Sequence, residues 1–386
     1  MIQNNSATTR RNFFKTAGSA VAAATAAPLF LHATDKSGGK TPVVGVGAYK
    51  YECHHNWGEV PDHVEWGDTH GVTVDAEGLI YVKHRKRSPK RMDAIVVFDP
   101  QGKYVRSFGK EYHGAGHGID LRKEGGEEFL YLSCIQMGIV VKTNLKGEQV
   151  WRIGRPTKPE HYKKKNARYS PTNLAFAPDG GIYVGDGYGS HFIHQYDRNN
   201  NLVRTFGGVG KGKGRLRTPH GIWLDDRPGR VGPGASGYWK KAVARYGKAD
   251  GAPLQQSLTE PTLVVADRAN ARLQYFSLDG KHLGYVNEVS FPADIDIQDD
   301  VMLVPDLHAR ITLFDANNKV ITHLGYDAEW TKKVLSGGKL TLRRDPKKFR
   351  PGRFVHPHDA CFDARGNIIV AEWVPQGRVS FLRKVD

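Results

Sequence analysis

The sequence predicts an all-β fold, a six-bladed β-propeller over residues 34–386, on three observations. One phrase restarts six times: an apolar strand, a turn with Asp and Gly, a second strand, a loop, a third strand, a polar turn and a fourth strand. The strands are short and alternating, with a period of about 40 residues, which is the signature of blades repeated around an axis. The last unit stops after its third strand, Arg378–Leu382, and Val43–Tyr51 offers a strand for the missing place. Pairing there closes the ring and leaves no long open edge. A β-sandwich or β-helix accounts less well for six copies of one phrase.

The elements follow in chain order. Residues 1–33 read as a targeting segment, because Thr9-Arg10-Arg11-Asn12-Phe13-Phe14-Lys15 is a twin-arginine pattern ahead of an Ala-rich run from Ala17 to Leu31. That run falls short of the roughly 20 apolar residues that span a bilayer. It predicts twin-arginine export to the periplasm or beyond, with cleavage between Ala26 and Ala33. No later stretch is long and apolar enough to cross a membrane. Blade one opens at Gly71–Val82 and ends at Val105–Gly109, and blade two runs from His117 to Gly154. Blade three spans Pro171–Gly207, and blade four starts at His220, carries an insertion near 227–260 and ends near Val286. Blade five is Phe291–Gly325 and blade six is His356–Asp386. The three cysteines, Cys53, Cys134 and Cys361, form no paired spacing and exclude a disulfide framework.

Four histidines stand just ahead of the first strand of a blade, in its entry loop: His70, His117, His220 and His358. Equivalent positions of a closed ring converge on its axis, so residues nearly 300 positions apart meet there. Blades three and five place Thr172 and Ala293 at the same position. Three neutral imidazoles with an open fourth place suit a zinc ion acting as a Lewis acid. His70 is then a fourth ligand that closes the site, an acid/base group, or a channel-lining group. Strand alternation puts Arg85, Tyr188 and Arg268, in or beside second-to-third strand loops, on the same face.

The formal charge is +16. Basic runs at Lys83–Arg91, Lys163–Arg168, Lys211–Arg217 and Lys339–Arg353 all fall on the histidine face by the same alternation. No nucleic-acid reading motif accompanies them. A cationic funnel over a metal site suits an anionic small molecule, a peptide carboxylate or an acidic polymer. The expected state is a monomer.

The repeated phrase, with Asp267…Arg272 and Asp306…Arg310 at the second-to-third loops, resembles the NHL-repeat six-bladed propellers. More specifically, Val184-Gly185-Asp186-Gly187-Tyr188, Pro219-His220-Gly221, Val265–Arg268, Pro357-His358-Asp359 and Val72–Arg85 resemble the lyase domain of the peptidylglycine α-amidating enzymes. That resemblance implies zinc on His117, His220 and His358, a catalytic tyrosine at Tyr188, and substrate arginines at Arg85 and Arg268. It also implies a structural calcium held by Asp359 and the backbone carbonyls of Val72 and Ile119, hard oxygen ligands that suit this ion. The implied reaction splits a peptidyl α-hydroxyglycine into a peptide amide and glyoxylate. Three departures stand out: His70 has no counterpart in the zinc triad, Gly189 replaces a loop-pinning cysteine, and no oxygenase domain accompanies the propeller. Two other readings are a non-catalytic binding or scaffold propeller stiffened by metal, and a calcium-dependent lactonase-like hydrolase. The latter wants a carboxylate-rich axis, whereas this axis reads as His-rich.

Overall fold

The computed structural model describes residues 41–227, 260–336 and 340–385. The twin-arginine segment and nearly all of the insertion near 227–260 lie outside the described residues. The described chain forms six antiparallel sheets, five of four strands and one of five. It opens with a hairpin of β1 (Val43–Val46) and β2 (Tyr49–His55). Blade one is β3 (Asp68–Val74), β4 (Ile80–Arg85), β5 (Ile95–Phe98) and β6 (Tyr104–Phe108). Blade two is β7 (Ile119–Glu124), β8 (Glu127–Cys134), β9 (Ile139–Asn144) and β10 (Gln149–Ile153). Blade three is β11 (Asn173–Phe176), β12 (Ile182–Gly185), β13 (Phe192–Tyr196) and β14 (Leu202–Gly207). Blade four is β15 (Pro219–Asp225), β16 (Thr262–Asp267), β17 (Arg272–Phe276) and β18 (His282–Val286). Blade five is β19 (Asp296–Gln298), β20 (Val301–Asp306), β21 (Arg310–Phe314) and β22 (Val320–Leu324). Blade six is β23 (Pro357–Phe362), β24 (Ile368–Glu372) and β25 (Arg378–Lys384), and β2 pairs antiparallel with β25.

The core is a ring of seams rather than one centre. Middle strands such as β16 and β24 are buried along their whole length, because each blade is sandwiched between two others. Outer strands such as β10 are exposed or only partly covered along their length. One apolar cluster fills each seam, for example Tyr81, Ile95 and Val97 of blade one against Leu130 and Leu132 of blade two. The last seam joins Val72, Val82 and Val96 of blade one to Cys361, Ile369 and Val379 of blade six. First and last blades are therefore neighbours. Toward the axis the inner strands converge until a side chain no longer fits: a Cβ on Gly221 would lie 2.5 Å from Asp294 Cα.

The Asp…Arg pairs brace the loops. Asp267 accepts from Arg272 Nε at 2.7 Å, Asn270 Nδ2 at 2.7 Å, Gln274 Nε2 at 2.8 Å and the Arg217 N–H at 2.7 Å. Asp267 and Arg272 are both fully buried. Asp267→Ala is expected to cost about 3–5 kcal/mol, because it strands the Arg272 guanidinium in the core. A denaturant midpoint that barely moved would contradict this.

Between blades five and six the chain builds a cap. Helix α1 (Ala328–Leu335) starts at Asp327, whose side chain accepts from the Trp330 N–H at 2.7 Å. Trp330, Val334, Leu342 and Val355 pack on Ala309 and Val374, from the loops after β20 and β24. The cap thus rests on the histidine face, and a 3-10 turn (Thr341–Arg344) follows α1.

One basic run does not start at the surface. Lys83, read as the start of a surface run, is completely buried, and its ammonium donates to the carbonyls of Ser133 at 2.6 Å and Gly118 at 3.2 Å. Alternation along β4 turns it inward.

Two buried histidines make the fold acid-sensitive. Burial pushes His84 down to about 4 and His194 to about 3. Both stay neutral in the folded chain while the unfolded chain protonates below about 6.5, so stability falls as pH drops through that value toward the folded pKa values. Together they are expected to remove about 3 kcal/mol between pH 7 and pH 5. Equal denaturant midpoints at the two pH values would sink the expectation.

Candidate metal centre

The four ring-position histidines meet in space. His70, His117, His220 and His358 are all nearly inaccessible to solvent. Ring centroids of His117, His220 and His358 form a near-equilateral triangle with sides of 4.4, 4.8 and 4.9 Å. His70 stands to one side, 4.5 Å from His358 and 5.6 Å from His117.

Local backbone irregularity aims these side chains. The ladders slip between Thr69 and Gly71, between Pro219 and Ile222, and between Pro357 and Asp359, so His70, His220 and His358 each sit at a bulge. A bulge breaks the strict in–out alternation and re-aims a side chain. His117 reaches the axis by another route, a φ of 104° that non-glycine residues rarely adopt.

A threefold pattern underlies the cluster. His117 Nδ1 bonds the Thr172 carbonyl at 2.5 Å, His220 Nδ1 the Ala293 carbonyl at 2.5 Å, and His358 Nδ1 the His70 carbonyl at 2.8 Å. Each even-numbered blade supplies an imidazole, and the next blade supplies the carbonyl that holds it. A carbonyl can only accept, so each Nδ1 carries the proton and each Nε2 presents a lone pair. This is the outer-shell arrangement that orients metal-binding imidazoles. His70 belongs to the carbonyl-supplying set with Thr172 and Ala293.

The donor set fits a cation. Nε2 of His117 and Nε2 of His220 lie 3.0 Å apart. Two lone pairs at that distance repel unless a positive charge stands against both. Two imidazole nitrogens on one tetrahedral zinc at about 2.0–2.1 Å stand roughly 3.3 Å apart, close to that spacing. Burial, with neighbouring histidines and Arg268, holds His117 and His220 well below the usual histidine range, and His358 is pushed down to about 3. All three are therefore neutral, as ligands must be. His70, His117 and His358 bring one nitrogen each within 4.8 Å of one another, so that trio could hold an ion. The shared carbonyl pattern groups His117 and His358 with His220 instead. Both ring nitrogens of His70 are buried without a hydrogen-bond partner.

Tyr188 and Arg268 join the cluster. The Tyr188 hydroxyl lies 3.1 Å from His220 Nε2, and Arg268 Nη1 donates to the same oxygen at 3.0 Å. The Arg268 guanidinium stands 5.0 Å from the ring centroids of both Tyr188 and Phe291. The loop carrying Tyr188 is pinned by Asp186, which accepts from the Ser170 and Ser190 N–H groups at 2.6 Å each and from Tyr162 at 2.5 Å. A Cβ on Gly189 would fall 1.9 Å from Asp186 Oδ1. The carboxylate thus occupies the space a cysteine at 189 would need. Arg85 lies on the same face, paired with Asp68 at 3.0 Å.

A carboxylate tier, of which the sequence reading names only Asp359, lies one residue further along the strands. Asn173, Asp294 and Asp359 share the position after the ring residue in blades three, five and six. Asn173 Nδ2 donates to both Asp294 oxygens, at 2.6 and 2.7 Å, and Asp359 accepts the Val72 N–H at 2.8 Å. Asp120, from β7, adds a buried Oδ2 without a partner. Burial pushes Asp359 up to about 7, and burial with the Asp359 charge holds Asp120 and Asp294 well above the carboxylate range. The axis therefore carries more carboxylates than the His-rich expectation, which places only Asp359 there. Ile119 lies at the start of β7 beside Asp120, and Val72 meets Asp359 through its N–H.

Two α-amidating enzymes are distantly similar to this chain in sequence. The chain is 26% identical over 331 residues to peptidyl-α-hydroxyglycine α-amidating lyase 1 of Drosophila melanogaster, covering 83% of this chain and 53% of that protein. It is 22% identical over 264 residues to peptidyl-glycine α-amidating monooxygenase of Mus musculus, covering 60% of this chain and 23% of that protein. This propeller resembles the amidating lyases. It spans about half the length of the first relative and about a quarter of the second. No family model matches it. Among solved structures, a streptogramin B lyase superposes with a TM-score of 0.49 at 12% identity, over 86% of this chain and 97% of that one. Virginiamycin B lyase from Staphylococcus aureus gives 0.48 at 11% identity, over 87% of this chain and 100% of that one. Among the described residues of this lyase-like chain, no helix is long and apolar enough to cross a membrane.

Proposed function

We propose that the protein is a metal-dependent lyase that cleaves a peptidyl α-hydroxyglycine, or a similar carboxylated carbinolamide, into an amide and glyoxylate. The observation that carries this reading is the Tyr188 hydroxyl, set between His220 Nε2 and the Arg268 guanidinium. His117, His220 and His358 would hold zinc, which supplies Lewis acidity toward the hydroxyl oxygen of the substrate. Tyr188 acts as a phenolate, which Arg268 stabilises by donating to its oxygen; it takes the hydroxyl proton and becomes the phenol. Arg85 receives the substrate carboxylate. As the carbinol carbon becomes the aldehyde of glyoxylate, the C–N bond breaks and its electron pair stays on the amide nitrogen. Tyr188 returns the proton to that nitrogen, so the reaction consumes no net proton.

His70 is read as a channel-lining group whose backbone carbonyl accepts from His358 Nδ1, so that a metal on the other three imidazoles would keep an open place. Asp359, with Asp294 and Asp120 nearby and the backbone of Val72 and Ile119, would hold a structural calcium. The twin-arginine pattern supports export to the periplasm or beyond.

Metal analysis of purified protein, paired with glyoxylate release from α-hydroxyhippurate, tests the reading. Stoichiometric zinc with release is the expected result. Stoichiometric metal without turnover would instead identify a binding propeller with structural metal.

A further inference from the structure

The basic stretch at 339–353 delivers one guanidinium that the lyase reading does not use. Arg343 comes from the 3-10 turn of the cap, and its Nε donates to the Trp373 carbonyl at 2.9 Å. Its guanidinium carbon lies 3.4 Å from the Trp373 ring centroid. Nη2 of Arg343 donates to Asp68 Oδ1 at 2.7 Å, while Arg85 Nη2 donates to Asp68 Oδ2 at 3.0 Å. One carboxylate therefore holds two guanidinium groups side by side.

Both guanidinium groups are about nine-tenths buried. Their charges exceed that of Asp68 by one, and Arg85 Nε is buried with no acceptor. Excess positive charge with an orphan donor, removed from water, calls for an anion. Arg85, Arg343 and Arg268 all lie within electrostatic reach of His358. Arg268 is committed to Tyr188, on blades three and four, whereas Arg85 and Arg343 stand at blades one and six.

We propose that Arg343 is a further substrate-binding residue, which forms with Arg85 a carboxylate subsite beside His358, with Asp68 holding the two guanidinium groups in register. The subsite rests on the lyase reading for the identity of its ligand, a glycine-type carboxylate. It also gives the cap a part in binding, because without the residues between blades five and six the anion would meet Arg85 alone.

Calorimetry on the metal-loaded, full-length protein tests the assignment with hippurate and its neutral analogue hippuramide. Arg343→Gln is expected to weaken hippurate about 10- to 100-fold, the effect of losing a charge-assisted hydrogen bond. Hippuramide affinity, metal content and thermal midpoint should stay at wild-type values. Arg343→Lys should restore part of the loss, since it returns the charge without the fork. Unchanged hippurate affinity in Arg343→Gln, an equal loss for hippuramide, or no hippurate binding by the wild type would each overturn the subsite. Discrimination between the two ligands without glyoxylate release from α-hydroxyhippurate would leave the subsite standing and remove the lyase reading.

Discussion

Replacing His220 with alanine is expected to strip metal from the protein and to cut glyoxylate release by more than about a hundredfold. Loss of an outer-shell partner alone typically costs about 10–100-fold in metal affinity or activity, and a direct ligand must exceed that. Alanine also removes the nitrogen that faces His117 at 3.0 Å, so the remaining imidazoles lose the partner that defines the site. The informative contrast is His70→Ala. Its backbone carbonyl, which holds His358 at 2.8 Å, survives the substitution, so metal content should persist. Elemental analysis after gel filtration separates the two variants. Equal metal loss in both would mean a closed site of four imidazoles and would remove the open catalytic place.

Tyr188→Phe is expected to lower glyoxylate release by about 10²–10⁴-fold, the range that a positioned acid/base group contributes. Metal content should not change, because phenylalanine keeps the ring contacts with His117 and His220, at 5.3 and 5.5 Å, and loses only the hydroxyl. The ring also stays useful: it lies 5.0 Å from the Arg268 guanidinium, and phenylalanine keeps that surface. A fall in turnover with metal retained, measured in the same preparation, assigns Tyr188 to chemistry. A near-wild-type rate would make it a lining aromatic.

Residues that obey the repeat are legible in the sequence, and those standing outside it are not. His117, His220 and His358 recur at one point of the phrase, so the ring alone predicts their meeting. Asn173, Asp294 and Asp359 recur just as regularly one position later. Asp359 is noticed through the family resemblance, but Asn173 and Asp294 escape because they follow Thr172 and Ala293 and read as local turn residues. The carbonyl relay from Thr172, Ala293 and His70 cannot be read at all, since a backbone oxygen carries no residue identity. Arg343 belongs to a cap inserted between repeats, and Asp68 opens its strand like any surface acid. Charge misplaces Lys83: a lysine in a basic run reads as solvated unless the inward face of its strand is counted.

The bond from His358 to His70 also spans 288 positions and crosses the seam between the last blade and the first. All three cysteines are free and buried, so no covalent tie secures that seam. An ion gripped by His117, His220 and His358 would act as a cross-link among blades two, four and six, closing very long chain loops in one step. Closing such loops restricts the unfolded chain much as a disulfide does, with a benefit that grows slowly with loop length. In a propeller without disulfides, the cofactor would then also be a staple.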